Sequence, residues 1–121
     1  SVGAMPRRIT TAEGRAALAA VAAGSSPRTD LATAVRYLLQ LLVEKAPGGS
    51  VEVRVPPFGA VQVVEGPRHT RGTPPNVVET DPVTWIALAL GHEQWTDAAA
   101  AGRIVASGVR GDISDLLPLR P

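Results

Sequence analysis

An α+β fold with its strands in one largely antiparallel sheet follows from three features of the sequence. Apolar residues recur at helical spacing in the first third, the period drops to two in the middle, and short glycine-bounded elements fill the last third. The order of elements reads α-α-β-β-β-α-α-β-α. Strands cluster mid-chain instead of alternating with helices, which argues against a doubly wound parallel sheet.

Each element has its own signal. Thr10-Thr11-Ala12-Glu13 reads as a capping box, in which the threonine hydroxyl and the glutamate carboxylate satisfy each other's backbone donors. Alanine-rich sequence follows to Ala23, and Gly24 stops it. Leu18 and Val21 are its only large apolar groups, so this helix is expected to pack closely and thinly. A connector, Ser25 to Arg28, leads to a second helix from about Thr29 to Ala46. Leu31, Val35, Leu38, Leu39, Leu42 and Val43 form one buried stripe, with Arg36, Gln40 and Glu44 on the opposite, wet face. Pro47-Gly48-Gly49 ends it.

Val51, Val53 and Val55 alternate with Glu52 and Arg54, as in a half-buried strand. Pro56-Pro57-Phe58-Gly59 is a turn, and Ala60 to Glu65 reads as the antiparallel partner. Gly66 to Asn76 is a long loop without apolar side chains apart from its prolines, and such loops are often functional. Val77 to Thr80 returns to strand. Asp81 as N-cap and Pro82 at the first helical position open a helix that runs to Leu90. It is apolar nearly all round, as a buried helix is, and Gly91 stops it. A short helix from Trp95 to Ala101, a strand at Ile104-Val105-Ala106 and a turn capped by Asp112 complete the chain.

At 121 residues and 45% hydrophobic, the chain is the size of one domain with a real core. Ser1 to Ala4, ahead of Met5, read as an expression scar, leaving 5–121 as the single domain. Formal net charge of +1 argues against nucleic acid as a partner. Cysteine is absent, which excludes disulfides and thiolate metal sites. No apolar run approaches the roughly 20 residues of a membrane span, and Met5-Pro6-Arg7-Arg8 does not lead into an apolar signal core, so the expected compartment is the cytoplasm. Eleven arginines against one lysine, with abundant alanine, suit a GC-rich source.

The C-terminal third resembles the sterol-carrier-protein domain family. Asp81 to Gly91, Trp95-Thr96-Asp97-Ala98, Gly102 to Gly108 and Leu116-Leu117 carry the resemblance. The stretches Val53 to Gln62 and Gly66 to Asp81 are similar to a narrower group of short actinobacterial proteins named for sterol carriers. They are also similar to the C-terminal domain attached to some mycothiol-dependent maleylpyruvate isomerases. The resemblance implies a curved, mostly antiparallel sheet of about five strands covered by helices, with an apolar space between them that takes lipids or fatty acyl groups. The chain is leaner in aromatic residues and methionine than lipid-carrying members, with one Phe, one Tyr, one Met and two Trp.

On this basis Leu31, Val35, Leu38, Leu39, Leu42, Trp85, Leu88 and Trp95 are candidate lining for an apolar ligand, with the Leu31–Val43 stripe and the two tryptophans read as core first and ligand wall second. Arg54, Arg68, His69 and Arg71 are candidates for gripping an anion, because arginine offers a planar two-pronged donor. The competing reading is a structural network with Glu52, Glu65, Glu79 or Asp81. His69 has no nucleophile partner at a recognisable spacing. His69 and His92 are the only histidines and form no metal motif, so neither metal nor cofactor is expected. The expected function is non-catalytic binding of a lipid, fatty acyl or sterol-like molecule. The alternative is an interaction module that partners an enzyme or forms a homodimer.

Overall fold

In the computed structural model, residues 7–24, 27–67 and 75–121 are described. Helix α1 spans Thr11–Ala22 and begins with the expected capping box: Thr10 Oγ1 accepts from Glu13 N at 3.1 Å and Glu13 Oε1 from Thr10 N at 3.0 Å. Helix α2 spans Arg28–Lys45. The two helices approach so closely that a Cβ on Gly14 would lie 2.3 Å from the Tyr37 ring, so only glycine fits there. Thin packing of α1 is therefore achieved through Gly14 and Ala17, with Leu18 and Val21 half-buried beside them.

This packing corrects the expected wet face of α2. Gln40 is buried, not solvated: its side chain donates to Ile9 O and accepts from Ile9 N, each at 2.8 Å. The segment before α1 folds back over α2, and a buried amide must find both partners or carry a desolvation cost. Arg36 is half-buried and donates to Phe58 O at 2.7 Å. Glu44 remains outermost and pairs with Arg8.

Strands β1 (Val51–Val55), β2 (Gly59–Val63), β3 (Asn76–Thr80) and β4 (Ile104–Ser107) form one sheet in the order β2-β1-β3-β4. Four strands are present among the described residues, against about five expected. Two of the three pairings are antiparallel, but β1 and β3 run parallel, with Val51 beside Asn76 and Val53 beside Val78. A simple meander is thereby excluded. Strand β3 pairs on the side of β1 away from β2, so the connection joins strand ends about two strand spacings apart, or roughly 10 Å. About three extended residues span that distance, so the Gly66–Asn76 connection is longer than the topology alone requires.

Helix α3 (Pro82–Leu90) starts on the Asp81 cap, and α4 (Trp95–Ala100) follows. A single 3₁₀ turn at Ser114–Leu116 closes the chain, with Asp112 Oδ1 accepting from Ser114 N at 2.8 Å. One face of the sheet, including Val51, Val53, Val55, Val63 and Val78, shares the core with Val35, Leu38, Leu39, Leu42, Trp85 and Leu88. The other face carries Glu52, Arg54, Gln62, Glu79 and Val105, half-buried or exposed. Leu39 is fully buried. Leu39→Ala is expected to cost about 2–5 kcal/mol in chemical denaturation; a loss below about 0.5 kcal/mol, typical of surface sites, would show that α2 does not pack this way.

Candidate functional site

Where the chain crosses the start of β1, several elements are tied by a small polar knot. Asn76 is buried; its Nδ2 donates to Ser50 O at 2.8 Å and its Oδ1 accepts from Arg110 N at 2.9 Å. Ser50 N and Oγ both donate to Val64 O, at 3.0 and 2.8 Å. Arg110 Nη1 donates to Glu65 O at 2.9 Å. The turn that carries Arg110 is closed by Gly111 N donating to Gly108 O, and Gly108 adopts a φ of 90° hard against Asn76 and Pro75.

Between this knot and the C-terminal segment lies a cleft of about 320 Å³, lined by Val51, Val64, Val109, Arg110, Asp112, Ile113, Asp115 and Leu116. Its floor is aliphatic, and its polar groups are one guanidinium and two carboxylates. Asp112 is committed in part to the Ser114 amide. The 3₁₀ turn separates this cleft from a smaller hollow of about 80 Å³, where Leu88 and Trp95 meet Leu117 and Pro118. Lys45 Nζ clasps the turn by donating to Leu116 O at 2.7 Å, and Leu119 N donates to Ala89 O at 2.7 Å.

A third depression, of about 330 Å³, lies at the other end of the sheet beside Pro56, Glu79, Asp81, Arg103 and Val105. Two of its three charged residues, Asp81 and Arg103, have hydrogen-bond partners. Arg103 binds Glu93 through both terminal nitrogens and reaches Thr84 Oγ1 at 3.3 Å. Thr84 donates to Asp81 from both its amide, at 2.8 Å, and its hydroxyl, at 2.7 Å. Partial burial pushes the Asp81 carboxyl up, but the Thr84 hydrogen bonds and the Arg103 charge together hold it below its usual range. The Arg103 hydrogen bond does the same for Glu93. This depression reads as a structural ion network.

The family model described as bacterial SCP ortholog matches residues 27–119. The chain belongs to that sterol-carrier-like family. The match takes in α2, the whole sheet, both later helices and the cleft, and leaves α1 outside. A search of curated proteins gave no match.

Within this family member, the residues singled out from sequence fall into separate places. Val35, Leu38, Leu39, Leu42 and Trp85 are at most 1% exposed and pack against one another and the sheet, with Trp85 Nε1 donating to Val35 O at 3.2 Å. A ligand lined by them requires α2 to move off the sheet. Leu31 is half-buried at the margin of this core. Leu88 and Trp95 meet at the small hollow. Arg54 stands on the outer face of β1, paired with Glu52 at 3.0 Å, which is the network arrangement for that residue. Arg68, His69 and Arg71 lie outside the described residues. Among the described residues no group of three or more potential metal ligands gathers, and no helix is long and apolar enough to cross a membrane.

The cleft residues Val64, Val109, Arg110, Asp112 and Asp115 were not visible as a site from sequence. The one available signal was the chain's need to cross β1, which brings Ser50, Val64, Asn76 and Arg110 together. Because Asp81 and Glu93 are both depressed, their contribution to stability is present above about pH 4 and is lost as pH falls through the lowered values. Glu93→Gln should lower the melting temperature at pH 7 and flatten its decline between about pH 5 and 2. An unchanged acid limb would mean that the Arg103–Glu93 pair contributes nothing to folding.

Proposed function

We propose that this protein is a non-catalytic binding module for a small amphipathic molecule, held in the cleft between the start of β1 and the C-terminal segment. The observation that carries this reading is the cleft's composition: an aliphatic floor of Val51, Val64, Ile113 and Leu116 beneath a rim of Arg110, Asp112 and Asp115. Its volume of about 320 Å³ sits at the lower end of small-molecule sites, which run from roughly 300 to 1,000 Å³. That favours a short acyl or similar chain over a sterol skeleton. Membership of a sterol-carrier-like family supports the choice of an apolar ligand class. The lining contains no serine, cysteine or histidine, and its chemistry-bearing groups are Arg110, Asp112 and Asp115, with Asp112 accepting from the Ser114 amide.

Octanoate, octylamine and 1-octanol, titrated while amide NMR shifts are recorded, test the reading. A ligand of about ten heavy atoms at roughly 0.5 kcal/mol per atom gives a dissociation constant on the order of 0.1–1 mM. Saturable shifts confined to Val51, Val64 and Val109–Leu116 are expected for at least one of the three. Linear, scattered shifts for all three would refute it.

The alternative of an interaction module is favoured by one observation. Strand β4 is an edge, its residues beyond Ile104 are exposed, and Val105 is 67% exposed on it. It carries no lysine, proline or bulge of the kind that guards edges. If copies pair through β4, light scattering will show a concentration-dependent dimer that Val105→Lys abolishes. A monomer throughout would dispose of this second reading.

A further inference from the structure

Val64 has a φ of 67°, the left-handed region, and it is the only non-glycine residue with positive φ among the described residues. A β-branched side chain is a true outlier there, because its Cβ crowds the backbone. The surrounding chain holds it in place from three directions. Val64 N donates to Ala46 O at 2.7 Å, Ser50 grips Val64 O through its amide and hydroxyl, and Gly48 lies flat on the Val64 carbonyl. A Cβ on Gly48 would come within 2.2 Å of that carbonyl.

Where the backbone alone demands an unusual conformation, this part of the chain uses glycine, as at Gly48 and Gly66. Glycine would occupy the left-handed position at 64 without strain. The valine side chain is therefore what the strain secures. With left-handed backbone, that side chain leaves the alternation of β2 and turns into the cleft wall. Val109 lines the same cleft from the Gly108–Gly111 turn and is completely exposed at 101%. It is an apolar group with no apolar neighbour to cover it, presented on a turn fixed by Asn76.

We infer that Val64 and Val109 are the specificity-determining walls of the cleft, which clamp the apolar part of the ligand between them and set the chain length that fits. This rests on the binding reading above. Val64 supplies a fixed inner stop, and Val109 becomes covered only when the ligand is present.

The test compares 1-octanol and 1-decanol binding by amide NMR titration of the wild type, Val64→Gly and Val109→Ser, alongside thermal unfolding. Losing one wall removes burial of about a valine side chain, so each variant should bind 1-octanol about tenfold more weakly. Val109→Ser should melt with the wild type, since its side chain touches little in the free protein. Val64→Gly should also shift preference toward the longer 1-decanol, a change that a purely structural role would not produce. If the wild type binds and both variants bind with unchanged affinity and chain-length preference, the inference fails while the binding reading stands. If the wild type binds neither alcohol but binds octanoate or octylamine, that ligand and its ten-carbon homologue replace the alcohols in the same comparison; if it binds none of them, both readings fail together. Should Val64→Gly unfold, Val109→Ser decides alone.

Discussion

The parallel pairing of β1 with β3 is the constraint on which the rest of the molecule depends. It forces the chain to pass over the start of β1 and so concentrates backbone polar groups at one end of the sheet. Those groups have to be satisfied away from water, and Asn76 does much of this. One amide side chain reaches the carbonyl before β1 on one side and the turn after β4 on the other. It ties the start of the parallel pair to the Arg110 turn, which is held from a second side by the Arg110 bond to Glu65 O. The cleft lies beside this end of the sheet, between Val51, Val64 and residues 109–116.

Among the described residues, the space between α2 and the sheet is packed. Valine on the strands and leucine on α2 fill the space between sheet and helix with side chains of similar, modest size, and Trp85 supplies the bulk that the shortage of aromatics withholds elsewhere. Close-packed interiors leave few voids of useful size. Two of the hollows among the described residues lie at the margin, on either side of the 3₁₀ turn of the C-terminal segment. Helix α1 packs on α2 through the contact of Gly14 with Tyr37, the segment before it adds the Gln40–Ile9 bonds, and Arg15 of the helix reaches the C-terminal segment by donating to Pro121 O at 3.2 Å.

Local elements were legible in the sequence because their causes are local. The Thr10–Glu13 capping box, the Asp81 cap ahead of Pro82, the stop at Gly91 and the valine alternation in β1 each require only residues a few positions apart. Strand order was not legible. Nothing in a strand's own pattern says which neighbour it takes, and the length of the connection after β2 was readable either as function or as topology. Gln40 was misassigned for a related reason: helical period identifies a second face but not whether another segment covers it. The candidate apolar lining mixed true core with margin, since both are written in leucine. Val64 was hidden altogether, because its importance lies in a backbone angle that no side-chain pattern encodes.

The clasp on the C-terminal turn has a chemical consequence. Lys45 is the chain's only lysine, so its ammonium is the sole side-chain amine open to acylation. Acetylation would erase its charge and its donors to Leu116 O. Every other cationic side chain, apart from the two histidines, is a guanidinium, which the same acyl donors leave alone. An amine-directed modification of this protein therefore has a single side-chain address, and that address is the fastening of the segment that walls the cleft. A composition that began as a bias toward arginine thus isolates one covalent handle at the margin of the cleft.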